Sequence, residues 1–171
     1  MTDTPQYDRR SIRLKGFDYS QPGSYFVTIC THGKKRILSR IENDHVILNP
    51  AGEAVRRVWL DPDWRFPSVA FLDFVIMPNH FHGIIRIMTP SPSRGAASSA
   101  PTSCAITLGK IVRAFKSLSA LEVNCTLGRT GEPVWQRNYW DHVIRSAKEH
   151  RAVRVYIKQN PPRWERDPEN V

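Results

Sequence analysis

The stretch Phe71-Leu-Asp-Phe-Val-Ile-Met-Pro-Asn-His-Phe-His-Gly-Ile-Ile-Arg-Ile87 constrains the fold more than any other part of the chain. It holds two apolar runs, Val69 to Ile76 and His80 to Met88, split by Met77-Pro78-Asn79. A proline inside a sheet needs an edge, a bulge or a turn. A hairpin is the reading we favour, with the histidines at the start of its second strand. Side chains on a strand alternate between faces. His80 and His82 therefore point one way and Phe81 the other. Two neighbouring imidazoles on a rigid sheet form half of a divalent-metal site. Such a pair also arises by chance, so its surroundings must support it.

The chain has 171 residues, enough for one compact domain with a sizeable core. Lys and Arg number 25 against 16 acidic residues, for a formal charge of +9. That excess favours a polyanionic partner, nucleic acid first. Cys30, Cys104 and Cys125 are scattered, odd in number and outside any C-x-x-C pair. They fit a reducing compartment and argue against a disulfide framework or a thiolate zinc site. No apolar signal region or membrane-length run is present, so we expect a cytoplasmic protein without membrane contact.

Residues 1–20 read as a basic arm, with Arg9, Arg10, Arg13 and Lys15 close together, either a solvated tail or a nucleic-acid contact. Ser24 to His32 predicts a strand. Gly33-Lys34-Lys35-Arg36 is a positively charged turn, and His45 to Leu48 a short strand. Asn49-Pro50 opens a helix ending near Leu60. Residues 89–103 are small, polar and proline-rich, a flexible linker within the domain. A helix follows from Ala105 to about Glu122, with Lys110, Arg113 and Lys116 recurring every three residues on one face. That row is either a solvated face or a phosphate-contacting one. Val134 to Trp140 predicts an aromatic strand. Trp135 and Trp140 could stack on DNA bases or lie buried, and Arg137 adds charge beside them. Ser146-Ala-Lys-Glu149 is a capping box for a last helix, which Pro161-Pro162 stop. Val153, Val155 and Ile157 are expected along it, and 165–171 read as a polar tail. The order implies an α+β fold, an antiparallel sheet with helices mainly on one face.

The last helix carries Tyr156 and Asn160, which share a face four residues apart. If that face meets the histidines, two imidazoles, an amide oxygen and a phenol converge. Two histidines and an amide oxygen with open positions suit Mg²⁺ or Mn²⁺.

The motif Met77-Pro-Asn-His-Phe-His-Gly83 resembles the histidine–hydrophobic–histidine signature of the single-tyrosine HUH transposases. Trp135-Gln-Arg-Asn-Tyr-Trp-Asp-His-Val-Ile-Arg145 and Tyr156-Ile-Lys-Gln-Asn-Pro161 resemble their C-terminal signatures, in the REP-associated tyrosine transposase form. The likeness runs from about Gly23 to Trp164. It implies a ferredoxin-like (RRM-like) fold and one HUH domain over residues 21–164. It also implies a divalent metal on His80, His82 and Asn160, with Tyr156 as the nucleophile toward single-stranded or hairpin DNA. Some members have glutamine at the third ligand, so the shorter Asn160 departs from that form. The implied products are a 5′-phosphotyrosine and a free 3′-hydroxyl. Monomers and homodimers both occur among such proteins. Three other readings compete. A non-cutting hairpin-binding protein would have lost a histidine or the tyrosine. A paired-histidine phosphoesterase would need two His-x-Ser/Thr motifs. An RNA-binding ferredoxin-like domain would show an aromatic-glycine signature.

Overall fold

The computed structural model describes residues 16–61, 66, 68–89 and 106–170. Arg9, Arg10, Arg13 and Lys15, and all of the expected linker except Thr89, lie outside these residues. The strands are β1 (Gly23–Cys30), β2 (Ser39–Glu42), β3 (His45–Leu48), β4 (Val69–Ile76), β5 (His80–Ile87) and β6 (Trp140–Ile144). The helices are α1 (Pro50–Leu60), α2 (Leu108–Thr126) and α3 (Ala147–Gln159), followed by a 3-10 turn over Pro161–Arg166.

The main sheet runs β4-β5-β1-β6, with every pair antiparallel. With helices after the first and third of these strands, this is the ferredoxin-like order, and the α+β reading of the sequence holds. β2 and β3 form a separate hairpin. Its turn residues Asn43 and Asp44 have φ of 49° and 64°, a region these two residue types tolerate. β4 and β5 meet in the tight turn expected at Pro78, closed by Met77 N–H donating to His80 C=O at 2.8 Å. One extra residue bulges from β4 between Phe71 and Phe74.

Alternation then sorts the sheet's two faces. Tyr25, Val27, Ile29, Phe81 and Ile85 pack under α1 and α2 in the larger core. Its centre is aromatic: Trp59 lies 4.7 Å from Phe81 and 5.3 Å from Phe115, ring centre to ring centre. Burying a ring such as Phe81 stabilises by roughly 1.5–3 kcal/mol. Position 83, on this face by alternation, has room only for glycine, since a Cβ there would stand 2.7 Å from both Phe81 and Trp59. The opposite face carries Phe26, Ile84 and Ile144, covered by Val153 and Ile157 of α3.

The helix caps are as the sequence indicates. Asn49 Oδ1 accepts from Gly52 N–H at 3.0 Å, and Ser146 Oγ from Glu149 N–H at 3.1 Å. Glu149 reaches one residue further back than a simple capping box, accepting from Arg145 N–H at 2.6 Å.

Three local expectations change. The final strand begins at Trp140 rather than at Val134, because residues 134–136 make only an isolated bridge with Thr31. β2 had no clear signal of its own. Val155 faces solvent rather than the sheet. Among the described residues no helix is long and apolar enough to cross a membrane.

Candidate metal and nucleophile site

β5 delivers both imidazoles to the α3 face of the sheet, where they are almost wholly buried. Their rings stand 4.5 Å apart, centre to centre. The Nδ1 atoms are occupied: His82 Nδ1 lies 2.8 Å from Thr28 Oγ1 on β1, and His80 Nδ1 lies 2.9 Å from Asn79 Oδ1. The Nε2 atoms of both rings are buried without a hydrogen-bond partner. Burial, the stronger cause, lowers the pKa of both rings, and each has a second charge acting on it. Asp167 pulls His80 back up, while His80 pushes His82 further down.

α3 brings Tyr156 beside this pair. Its ring stands 5.4 Å from His82 and 5.8 Å from Phe26, and Phe26 stacks on His82 at 5.2 Å. Tyr156 is 39% exposed, so it faces both the histidines and solvent. Burial and then the Asp167 charge raise its pKa, with the Asn160 amide opposing them. Asn160, one turn on, is 3% exposed, and its Oδ1 is also buried without a partner. The structure thus brings together the four residues singled out in the sequence.

It also adds a fifth that sequence reasoning missed. The 3-10 turn over Pro161–Arg166 reverses the chain and carries the polar tail back across the histidines. Asp167 is buried, with Oδ2 3.7 Å from His80 Nε2 and Oδ1 accepting from Glu169 N–H at 2.7 Å. His80, His82 and Asp167 offer ligand atoms within 4.8 Å of one another and could bind a metal ion. The unpartnered Nε2 atoms and Asn160 Oδ1 make the same case: an imidazole nitrogen that carries no hydrogen and an amide oxygen, both buried, are groups that a cation satisfies. Two imidazoles with carboxylate and amide oxygens form a mixed nitrogen–oxygen set that could hold a divalent metal ion.

The tail is tied down at several points. Glu169 accepts from Lys34 at 3.0 Å and from Cys30 Sγ at 3.2 Å, and its backbone carbonyl accepts from Asn79 Nδ2 at 2.6 Å. Burial and then the Glu169 charge push the Cys30 thiol up to about 12. Arg36 donates to Asn170 at 2.9 Å, and its guanidinium lies 5.5 Å over the Trp164 ring.

The other candidate contacts are dispersed. Lys35, Arg36, Lys110, Arg113 and Arg137 are exposed, and Lys34 is half-buried against Glu169. Lys110, Arg113 and Lys116 ride on α2, across the sheet from the histidines. Lys116 is half-buried, donating to the carbonyls of Gln136 and Arg137 at 2.5 and 2.9 Å. Trp135, a candidate for base stacking or for burial, is 7% exposed and belongs to the larger core. Its indole N–H donates to Ser119 Oγ at 2.9 Å, so its faces are not free for a base.

The chain is 39% identical to an uncharacterized protein of Haemophilus influenzae Rd over 178 aligned positions, 94% of this chain and 92% of that protein. No family model matches the chain. Among solved structures it is similar to a REP-associated tyrosine transposase bound to a REP hairpin. That likeness has a TM-score of 0.54 at 16% identity, over 90% of this chain and 74% of the other. A Deinococcus radiodurans R1 protein described as a candidate transposase aligns with a TM-score of 0.50 at 12% identity, over 86% and 96% of the two chains. At these identities the two structures show the fold, a transposase-like α+β architecture.

Proposed function

This chain belongs to one family with the uncharacterized Haemophilus influenzae protein, and from its transposase-like fold and site we propose a metal-dependent nuclease and strand transferase acting on single-stranded DNA beside a hairpin. One observation carries the reading: three buried polar atoms without a hydrogen-bond partner, on His80, His82 and Asn160, gathered with Asp167 beside a half-exposed phenol.

In this reading His80 and His82 would hold the ion through Nε2, with Asn160 and Asp167 supplying oxygens. Mg²⁺ or Mn²⁺ bound there would supply charge neutralisation for the non-bridging phosphate oxygens. Tyr156 Oη attacks the phosphorus. The Oη–P bond forms and the P–O3′ bond breaks, leaving a 5′-phosphotyrosine and a 3′-hydroxyl. The proton lost by the phenol is matched by the one gained at the 3′-oxygen. Phe26, packed on both rings, keeps the phenol beside the imidazoles.

Exposed Lys35, Arg36, Lys110, Arg113 and Arg137 supply phosphate contacts, and Arg9, Arg10, Arg13 and Lys15 of the N-terminal arm extend them. Because Asp167 lies against His80 and Glu169 pairs with Lys34, we assign residues 165–169 to the functional unit rather than to a separate tail.

The test is label transfer. Wild-type protein and Tyr156→Phe are mixed with end-labelled hairpin DNA in Mn²⁺ or EDTA and resolved under denaturing conditions. Label that stays on wild-type protein, requires metal and is absent from the variant supports the reading. Native binding to the hairpin with no adduct would point instead to a non-cutting DNA-binding protein.

A further inference from the structure

We propose that Asn79 is a positioning residue: it selects Nε2 as the atom His80 presents to the metal, and the backbone of the C-terminal segment sets it in that role. This rests on the metal-site reading above.

Asn79 is fully buried in the turn between β4 and β5. Its own carbonyl accepts from Thr31 N–H at 2.9 Å and Thr31 Oγ at 3.0 Å, which pins the turn. The side-chain amide has two neighbours, the carbonyl of Glu169 at 2.6 Å and His80 Nδ1 at 2.9 Å. A backbone carbonyl only accepts, so the NH₂ group must face Glu169. The amide oxygen is thereby turned toward His80. That oxygen also only accepts, so His80 Nδ1 must carry the hydrogen. A neutral imidazole protonated at Nδ1 has its lone pair on Nε2. Nε2 is the atom 3.7 Å from Asp167 Oδ2 and without a hydrogen-bond partner. Two acceptors facing each other without a hydrogen between them define a place for a cation.

His82 is not dictated in this way. Its Nδ1 partner, Thr28 Oγ1, can donate or accept. The imposed tautomer therefore belongs to His80, and it originates in residue 169, ninety positions along the chain from Asn79.

The test reads the tautomer directly in protein without metal. Imidazole nitrogens are labelled with ¹⁵N, and long-range proton–nitrogen correlations are recorded at neutral pH for wild type, Asn79→Leu and Asn79→Asp. Wild-type His80 is expected to show a pyrrole-type Nδ1 and a pyridine-type Nε2. Asn79→Leu, which has no acceptor, loses that pattern and weakens Mn²⁺ binding in calorimetry about 10–100-fold. Asn79→Asp, which keeps an acceptor, retains the tautomer.

A wild-type His80 with hydrogen on Nε2, or on both nitrogens, overturns the proposal even if the leucine variant does not fold. An unchanged tautomer in Asn79→Leu overturns it as well. The expected tautomer in a wild-type protein that binds no Mn²⁺ leaves Asn79 as the selector of the His80 tautomer but overturns the metal-site reading, and with it the presentation of Nε2 to a metal.

Discussion

Tyr156 meets His82 at 64° between ring planes, and Phe26 touches both rings. The phenol's position is thus set by an aromatic contact across two elements, α3 and β1, rather than by its own helix alone. Phe26→Ala removes no metal ligand but frees the phenol and takes the stacking ring off His82. We expect the rate of adduct formation to fall about 10²-fold, the scale of a displacement near 1 Å, and Mn²⁺ affinity to fall by much less. Single-turnover label transfer alongside calorimetry measures both.

Asp167 is the only carboxylate among the described residues in the cluster with His80 and His82. Asp167→Asn keeps its shape and removes its charge. Mn²⁺ affinity is expected to fall at least about tenfold, since affinity for hard cations follows ligand charge. Calorimetry with Mn²⁺ checks this, and unchanged affinity would remove Asp167 from the ligand set.

The tail's position can be read from Cys30. With its pKa at about 12, this thiol stays protonated near pH 8, and the thiolate is the reactive form. Iodoacetamide is expected to modify exposed Cys125 well before Cys30 in native protein. Glu169→Gln removes the charge that helps suppress the thiolate, so Cys30 should react faster in that variant. Mass mapping of the alkylated peptides over time gives both rates.

Gly83→Ala tests the opposite face of the sheet. The added methyl would meet Phe81 and Trp59 in a close-packed aromatic core. Overpacking of this kind costs about 1–3 kcal/mol. Denaturant unfolding should show that loss, while Mn²⁺ affinity stays at the wild-type value because the metal ligands lie on the other face.

The fold was legible where local patterns carry it. Asn49 and Ser146 mark helix starts through hydrogen bonds made within three residues. Strand alternation alone separates His80 and His82 from Phe81. The C-terminal strand was misplaced because the aromatic run from Val134 to Tyr139 reads as strand by composition. In fact Trp135 is held by the larger core and by Ser119. Lys116 looks like its neighbours Lys110 and Arg113, and only tertiary structure reveals the two carbonyls it serves. Asp167 carried no signal. It reaches His80 through the reversal at Pro161–Arg166, a contact between residues 87 positions apart that no periodicity encodes.

The bulge in β4 has a consequence for error. A strand that slips by one residue exchanges its two faces. In β5 such a slip would turn both imidazoles into the aromatic core and expel Phe81 into the space beside Tyr156. By taking up one surplus residue between Phe71 and Phe74, β4 keeps β5 in phase with it on either side of the irregularity. The chemical reading frame of the sheet is therefore protected by the same packing that stabilises it. A one-residue slip of β5 would cost the Phe81 packing and the pairing of the imidazoles together.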